Sequence, residues 1–391
     1  MVYRIWARIR TSQLLQLCHE QALPTVGPRL STRSLWGYVA GFVAEEEAAG
    51  GSPSGVVLDI IKAFNVMRRR RPLVTAGMLH FGLPSNIVLA WMKALDGMER
   101  QILVAGCVYP AAEDLKKSTA GVPEGDPLSV VAMFCMCLFF ARFVLGEADV
   151  VPVTYADNWQ VIARQVGPIV TVLPKIHEFL ELCALPVSPE KCWLWSAGKN
   201  GRKRLKQVAS GDSHIPVRLQ AVDLGADMPY CKRRAAAKRN LRIKAGHRRL
   251  QLAKGLPGSK WQKSRLIMSG IWPQCLHGSE TCVVPKSVLK RLRTQAGRVA
   301  SIAKQGVSPW LACSVGSPQL VDPEFCLLVQ RLRLFRLMWR DFPDARPRMQ
   351  KGLCARLRGV FLSFFQDSSA RSNGLCRGWW PLMTTADVST L

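Results

Sequence analysis

The sequence has little acidic charge, and it lacks paired cysteine motifs and any uncharged apolar run long enough to span a membrane. Its 27 Asp and Glu residues face 54 Lys and Arg, which gives a formal net charge of +27. A surplus this large favours a polyanionic partner, either nucleic acid or an anionic membrane surface, over charge carried for solubility alone. Hydrophobic residues make up 48% of the chain, which argues against disorder and is enough for a true core.

The cysteines are scattered along the chain. None of the 13 has Cys-x-x-Cys spacing, so the sequence predicts neither a zinc site nor a disulfide framework. Cys135 and Cys137 stand inside an apolar run, where cysteine behaves as a small core residue. We therefore expect an intracellular, reducing location, without deciding between nucleus and cytoplasm.

No membrane segment is expected. The longest apolar run, 130–145, is too short to span a bilayer and contains Arg142, so it predicts a buried helix. The first fifteen residues carry arginines at 4, 8 and 10 on an amphipathic period, with an apolar stripe formed by Ile5, Ile9, Leu14 and Leu17. This pattern is typical of a mitochondrial presequence and of a surface helix, and we favour the surface helix.

Apolar periodicity predicts an α+β fold with helices packed on one face of a sheet. Strands are expected over 56–61, 101–108 and 193–195, and a hairpin over 153–162. Helices are expected over 3–17, 34–49, 72–80, 85–98, 128–145 and 169–182. After residue 196 the chain becomes more basic, with a strand indicated over 217–224 and helices over 261–272, 286–303 and 327–339.

Two aspartates stand where predicted strands end. Asp59 ends a buried strand, and Asp157 lies at the tip of the hairpin in Tyr155-Ala156-Asp157-Asn158. Each alone is typical of a turn residue. A Gly- and Pro-rich loop, 118–127, lies between them in sequence. Carboxylates on neighbouring strands are the ligands that Mg²⁺ prefers, so the pair indicates a metal site.

Three stretches resemble motifs A, B and C of reverse transcriptases, especially those of non-LTR (LINE-type) retrotransposons, in order and spacing. They are Leu58-Asp59-Ile60-Ile61-Lys62-Ala63-Phe64-Asn65, Gly121-Val122-Pro123-Glu124-Gly125-Asp126-Pro127-Leu128-Ser129 and Tyr155-Ala156-Asp157-Asn158. Further stretches resemble motif D (185–191), the motif E region (223–227) and the end of the first fingers motif (3–6). The resemblance covers roughly residues 3–300.

The resemblance implies a polymerase right-hand fold. Residues 1–200 would form a palm with partial fingers, because the basic fingers strands that would clamp the triphosphate are missing upstream of Tyr3. Truncated fingers would impair activity. Residues 201–304 would form a basic connection and thumb-like helices, and 305–391 a C-terminal helical region of unknown role. The sequence does not indicate an oligomeric state.

The implied function is RNA-directed DNA polymerisation by an enzyme of retrotransposon origin, with an RNA template, a DNA primer and dNTPs as partners. Nucleotidyl transfer onto a primer 3′-OH uses two divalent cations about 4 Å apart. Asp59 and Asp157 would hold Mg²⁺, or Mn²⁺ in its place, with the Ile60 carbonyl as a further oxygen. Lys191 would donate a proton to the leaving pyrophosphate.

The implied nucleotide site comprises Ile60, Phe64, Pro123, Glu124 and Gly125. Phe64 would lie beneath the incoming sugar and exclude a 2′-hydroxyl. Glycine in the loop would let the backbone approach the nucleotide closely. Glu124 stands where the family usually has Gln, which removes an amide donor.

Asn158 departs further from the family pattern, because it replaces the second Asp of Tyr-x-Asp-Asp. An amide oxygen can ligate a metal but carries no negative charge, so we expect lowered activity. The alternative is a catalytically inactive relic of a reverse transcriptase that still binds RNA or DNA.

The segment 232–249 carries nine basic residues and no acidic one. Such a run is often a solvated helix face, but the absence of acids favours contact with a phosphate backbone. The predicted nucleic-acid contacts are Lys232, Arg233, Arg234, Lys238, Arg239 and Arg242. A membrane-surface protein would explain the charge but not the three motifs.

Overall fold

The structure is a computed structural model of the 391-residue chain. It describes residues 2–27, 30–67, 74–97, 101–104, 107–110, 121–146, 148–209, 215–230, 237–282, 284–300, 308, 313, 322–347, 349 and 350. The chain divides into two compact units, Met1–Pro343 and Asp344–Leu391. The first unit holds the sheet and the candidate site.

Helices and strands are mixed along the first unit, as the α+β prediction required. The helices are α1 Val2–Glu20, α2 Thr32–Ala48, α3 Ala63–Val66, α4 Val74–His80, α5 Ser85–Asp96, α6 Pro127–Leu145, α7 Val166–Leu182, α8 Lys199–Ala209, α9 Ala237–Gly255, α10 Lys260–Leu266, α11 Trp272–Cys275, α12 Lys286–Val299 and α13 Pro323–Asp341. The strands are β1 Ser54–Asp59, β2 Gln101–Val104, β3 Cys107–Pro110, β4 Val151–Tyr155, β5 Asn158–Ala163, β6 Trp193–Ser196, β7 Gln220–Asp223 and β8 Ala226–Pro229. Short turns of helix are Pro189–Lys191, Ile267–Ile271 and Pro343–Ala345.

The central sheet has four antiparallel strands in the order β4-β5-β1-β6. Its strands confirm the predicted hairpin and the predicted strands around 56–61 and 193–195. The single strand predicted over 101–108 is wrong, because β2 and β3 pair as a hairpin with Val104 opposite Cys107. Ala105-Gly106 separates them in sequence.

The sheet buries both faces. Side chains alternate along each strand, so Trp159 and Asn158 point to opposite faces. Trp159 is fully buried and its ring lies 4.5 Å from Phe140 of α6 and 6.0 Å from Phe179 of α7, measured between centroids. The opposite face is covered by Tyr230, whose ring stacks on Trp195 at 4.4 Å. Helices therefore cover one face, and the β7–β8 hairpin with the residue after it covers part of the other.

Helix α6 lies in the hydrophobic core of the first unit. By length and composition it could cross a membrane, but most of it is buried inside the protein, as the predicted core helix should be. Helix α1 packs against it through Ala7, Leu14 and Cys18, so the first residues belong to the fold. The predicted α1 stripe is partly wrong, since Ile5 is 54% and Ile9 is 56% exposed.

A second hydrophobic cluster lies in the basic part of the chain. It is built from α9, the turn 267–271 and α11 to α13, and Leu250, Trp272 and Leu292 are among its fully buried members. The helices predicted over 261–272, 286–303 and 327–339 are present there with shifted ends. The basic helices therefore pack around an apolar core that they form themselves.

Candidate functional site

Asp59 and Asp157 lie side by side at one end of the central sheet. Strand register places Asp59 opposite Asn158, and the backbone N–H of Ile60 donates to the Asp157 carbonyl at 3.0 Å. Ala156 has a φ of 50°, a conformation that two-residue hairpin turns use at their first position. The turn thus carries Asp157 to the end of β1.

Lys191 completes this group. It lies in the turn Pro189–Lys191, which Ser188 anchors by donating its N–H to the Asp59 carbonyl at 2.9 Å. The Lys191 ammonium lies 3.2 Å from Oδ1 of Asp59. Its side chain is 67% exposed and that of Asp59 is 22% exposed. An exposed cation is therefore placed directly beside a carboxylate.

The charges around Asp157 favour a positive partner. Partial burial of the carboxyl group raises its pKa above the ordinary value, although the residue as a whole is exposed at the hairpin tip. The negative charges of Asp59 and Glu124 raise this pKa further, whereas the Asp157 backbone N–H and Lys191 lower it. Three carboxylates thus share one electrostatic environment, and a cation would relieve their repulsion.

The Gly- and Pro-rich loop docks on the turn that follows Asp59. Gly121 donates its N–H to the Met67 carbonyl at 2.8 Å, and Val122 donates to the Phe64 carbonyl at 2.6 Å. Gly121 has a φ of +79°, and a Cβ there would lie 2.6 Å from the Asn65 carbonyl oxygen. Only glycine fits this contact. Asn65 Nδ2 in turn donates to Oε1 of Glu124 at 3.4 Å, so Glu124 stands over α3.

The remaining predicted nucleotide-site residues surround this loop. Phe64 is half-buried at the edge of the core, and Ile60 is 1% exposed. The Pro123 carbonyl accepts a hydrogen bond from the Ser129 hydroxyl at 2.8 Å. Gly125 is exposed and has a φ of +85°. These residues lie along the loop and the turn after β1, while Ile60 itself is internal.

Asp126 holds the loop in place, a role that motif reasoning missed. It caps α6 by accepting the Leu128 N–H at 3.1 Å, and its Oδ2 accepts from Tyr3 at 2.7 Å and from Trp91 Nε1 at 2.8 Å. Burial, followed by the bond and charge of Asp126, raises the pKa of Tyr3. An aspartate directly before Pro127 is a helix-start signal that the sequence did carry.

The amide group of Asn158 is hydrogen-bonded away from the two aspartates of the site, to Asp223. Its Nδ2 donates to Oδ1 of Asp223 at 2.9 Å, and Gln160, two residues along β5, donates to the other oxygen of Asp223. Asp223 ends β7 and is 1% exposed. Its burial raises its pKa to about 6 even though the two amides lower it. From the sequence, Asp223 was singled out only as part of the stretch that resembles the motif E region.

The donor set fits a hydrated hard cation. Within the described part of the chain, no group of three His, Cys, Asp or Glu side chains is placed to hold a metal ion. Asp59 and Asp157 remain as neighbouring carboxylates, and Mg²⁺ binds to one or two carboxylates while it keeps several waters. The amide nitrogen of Asn158 is committed to Asp223.

The predicted nucleic-acid contacts divide into three groups. Lys238 is exposed at the start of α9, whereas Lys232, Arg233 and Arg234 lie outside the described residues. Arg239 is only 6% exposed and its guanidinium contacts Asn240 and Cys282, so it lies inside the protein and not on the surface where a phosphate contact was expected.

Arg242 also acts inside the protein. It is half-buried, and its guanidinium donates to the carbonyls of Gly225 at 2.7 Å and His277 at 2.8 Å. These bonds tie α9 to the β7–β8 turn. Exposed basic residues that the prediction left out, Lys244, Arg248 and Arg249, lie further along the same helix.

Comparison with known proteins gives distant structural neighbours only. No protein-family model matches the chain, and no curated protein matches its sequence. Telomerase from Candida albicans with a fragment of telomeric RNA is similar with a TM-score of 0.43 and 11% identity, over 85% of this chain and 51% of that one. Telomerase from Candida tropicalis with the same kind of fragment has a TM-score of 0.40 and 10% identity, over 76% and 55%.

A third neighbour is apo telomerase from Candida tropicalis truncated from its C-terminal domain. The TM-score is 0.35 and the identity 14%, over 57% of this chain and 44% of that one. The chain thus spans about half the length of the telomerase chains that it matches. Scores this low give no residue-by-residue correspondence, so these comparisons assign no role to any residue of the site.

Proposed function

We propose that this protein is a nucleotidyltransferase of the reverse-transcriptase type, which extends a DNA primer on an RNA template. The observation that carries the proposal is the register of β1 and β5, which brings Asp59 and Asp157 together beside Lys191. These three residues come from stretches far apart in sequence that the motif resemblance had singled out independently. Their meeting at one end of the sheet is what such a site needs.

We propose the roles of the side chains from the motif resemblance, and their placement is compatible with those roles. Asp59 and Asp157 would hold Mg²⁺, which when bound supplies the charge that activates a primer 3′-OH and steadies the triphosphate. Lys191, exposed and beside Asp59, is placed to give charge or a proton to the leaving pyrophosphate. Glu124 and Phe64 flank the position of the incoming dNTP, where Phe64 would oppose a 2′-hydroxyl.

The polyanionic partner is assigned to the basic helices. Lys238, Lys244 and Arg248 are exposed on α9, and the chain carries a net charge of +27. Contacts of this kind bind phosphate backbones without reading sequence. We assign the chain to retrotransposon origin, of the non-LTR class, on the order and spacing of its motifs.

A second function is favoured by one observation. The amide nitrogen of Asn158 donates to Asp223, and its oxygen, the atom that could ligate a metal, accepts from Gln160 Nε2 at 3.5 Å. Position 158 therefore adds neither a charge nor an unbound amide group to the site. A protein that keeps the fold and the basic surface but no longer turns over would bind RNA or DNA without extending a primer.

A primer-extension assay separates the two functions. Wild type, Asp157→Ala and the control Asp149→Ala are compared on poly(rA)/oligo(dT) with Mg²⁺ and with Mn²⁺, and RNA binding is measured on the same samples. Asp149 is exposed and lies just before β4, so its variant makes the same change away from the site. Extension by wild type and the control but not by Asp157→Ala supports catalysis. Equal binding with no extension by any of them supports the binding protein.

A further inference from the structure

The polar group formed by Asn158, Gln160 and Asp223 is unusual because most of it is buried. Gln160 is 2% and Asp223 is 1% exposed, and Asn158 is half-buried between them and the site. Burying a carboxylate is costly unless hydrogen bonds compensate it. Here two amide groups donate to its two oxygens, Asn158 at 2.9 Å and Gln160 in an even closer contact.

The group joins two hairpins. Asn158 and Gln160 alternate along β5, so both point to the face that β7–β8 covers. Asp223 ends β7 directly before the turn at Leu224 and Gly225, both of which have positive φ. The only charged member of the group is Asp223, and both of its partners on β5 are neutral.

The hydrogen bonds of Asn158 affect the candidate site through the backbone of the hairpin tip. Asn158 follows Asp157 directly and lies opposite Asp59 in the sheet. Movement of the Asn158 side chain would therefore move the tip that carries Asp157. The group also connects to the basic helices, because Arg242 of α9 donates to the carbonyl of Gly225.

We propose that Asp223 is a positioning residue, which fixes the Asp157 tip through Asn158 and Gln160. The hydrogen-bonded group of Asn158, Gln160 and Asp223, called the clasp below, accommodates one negative charge in total at positions 158 and 223. Asp223 therefore requires an amide at position 158, because the amide donates a hydrogen bond to its buried carboxylate. The inference concerns the fold of this chain and holds whether or not the protein is a polymerase.

A carboxylate at position 158 should therefore destabilise the protein as long as Asp223 is present. Asn158→Asp alone would set two carboxylates against each other at hydrogen-bond distance and remove a donor from a buried charge, which destabilises strongly. Asn158→Asp with Asp223→Asn moves the charge across the clasp and restores a donor–acceptor pair. Gln160 can adapt to either arrangement, because its Oε1 is buried and has no hydrogen-bond partner among the described residues.

The test is a charge exchange followed by two measurements that need no activity. Wild type, Asn158→Asp, Asp223→Asn and the double variant are compared at about pH 8, where carboxylates are ionised. Melting temperature reports stability, and hydrogen exchange over 153–162 reports the tip. Asn200→Asp, an exposed change at the start of α8, is the control for added charge.

Asn158→Asp should lower the melting temperature by about 5 °C or more and speed exchange at the tip, while the control changes neither. The double variant should regain most of both losses. If the losses of the single variants simply add in the double variant, the proposal is wrong.

A milder set covers the case in which Asn158→Asp does not fold. Asn158→Ala, Asp223→Asn and their combination remove the contact without adding charge. If the proposal holds, the combined variant should change the unfolding equilibrium constant about tenfold less than the product of the two single changes, as residues in one network do. Multiplicative effects would overturn it.

Discussion

The Lys191 ammonium lies 3.2 Å from Oδ1 of Asp59, although 132 residues separate them in sequence. The contact forms because the turn at 189–191 is hydrogen-bonded to the backbone of Asp59 through Ser188. It places one exposed cation against a carboxylate that we propose as a metal ligand. Lys191 therefore acts on the charge of the site and adds little to the fold.

Replacing Lys191 by Ala should slow the first nucleotide incorporation by roughly 100-fold, the usual loss when an acid or base group is removed. Stability should change by less than about 1 kcal/mol, since the Lys191 side chain is 67% exposed. Single-turnover kinetics and thermal melting measure the two effects. Lys203→Ala, an exposed change on α8, serves as the control. A normal rate in Lys191→Ala would remove Lys191 from the mechanism.

Asp126 should be a stability residue. Asp126→Ala leaves the Tyr3 hydroxyl and the Trp91 N–H without their acceptor and removes the cap of α6, which should cost roughly 2–4 kcal/mol. Urea denaturation measures this cost. Asp149→Ala should cost less than about 0.5 kcal/mol, as surface changes do. Equal costs for the two variants would show that Asp126 does not hold the loop.

Asp223 should make stability fall as the pH rises. Its pKa is raised by burial to about 6, so the folded state holds its proton more tightly than the unfolded state does. The resulting stabilisation is complete below the ordinary pKa and is lost as the pH rises through about 6, with a total of roughly 3 kcal/mol. The free energy of unfolding, measured from about pH 4 to pH 8, should therefore slope less steeply in Asp223→Asn. Identical slopes in wild type and variant would contradict this assignment.

Basic residues of α9 should differ in what they do. Lys244→Ala and Arg248→Ala should each reduce the salt slope of RNA binding by about 1 and leave the melting temperature unchanged, as lost phosphate contacts would. Arg242→Ala should instead lower the melting temperature, because its guanidinium joins α9 to Gly225 and His277. Binding titrations over a range of salt concentrations check this. A salt-independent affinity of wild type would exclude the phosphate contacts altogether.

Much of the fold follows from local sequence pattern. The buried run before Asp59, the hairpin around Asp157 and the apolar run that becomes α6 were all predicted within a few residues of their observed ends. Their signals are short-range: alternation, turn chemistry and helix caps. The meeting of Asp59 with Asp157 followed from motif order, and the structure places them side by side.

Contacts between segments that are distant in sequence could not be predicted from local sequence patterns. Asp223 is a partner of Asn158 only because β7–β8 covers the sheet, which alternation within β7 cannot reveal. Arg239 was predicted as a surface contact, yet a helical period from Arg239 through Ile243 to Leu250 would have placed it on the buried face. Local sequence could not reveal the contact between Asp223 and Asn158, whereas it could have indicated the burial of Arg239.

The central claim is that Asp59 and Asp157 form one nucleotidyl-transfer site. Its most direct test is the rate at which the first dNMP is added to a DNA primer on an RNA template, measured for wild type, Asp59→Asn and Asp157→Asn with Mg²⁺ in excess. Both variants keep the size of the side chain and lose its charge. We predict that wild type extends the primer and that each variant is slower by about 100-fold or more. Extension by either variant at the wild-type rate would contradict the claim.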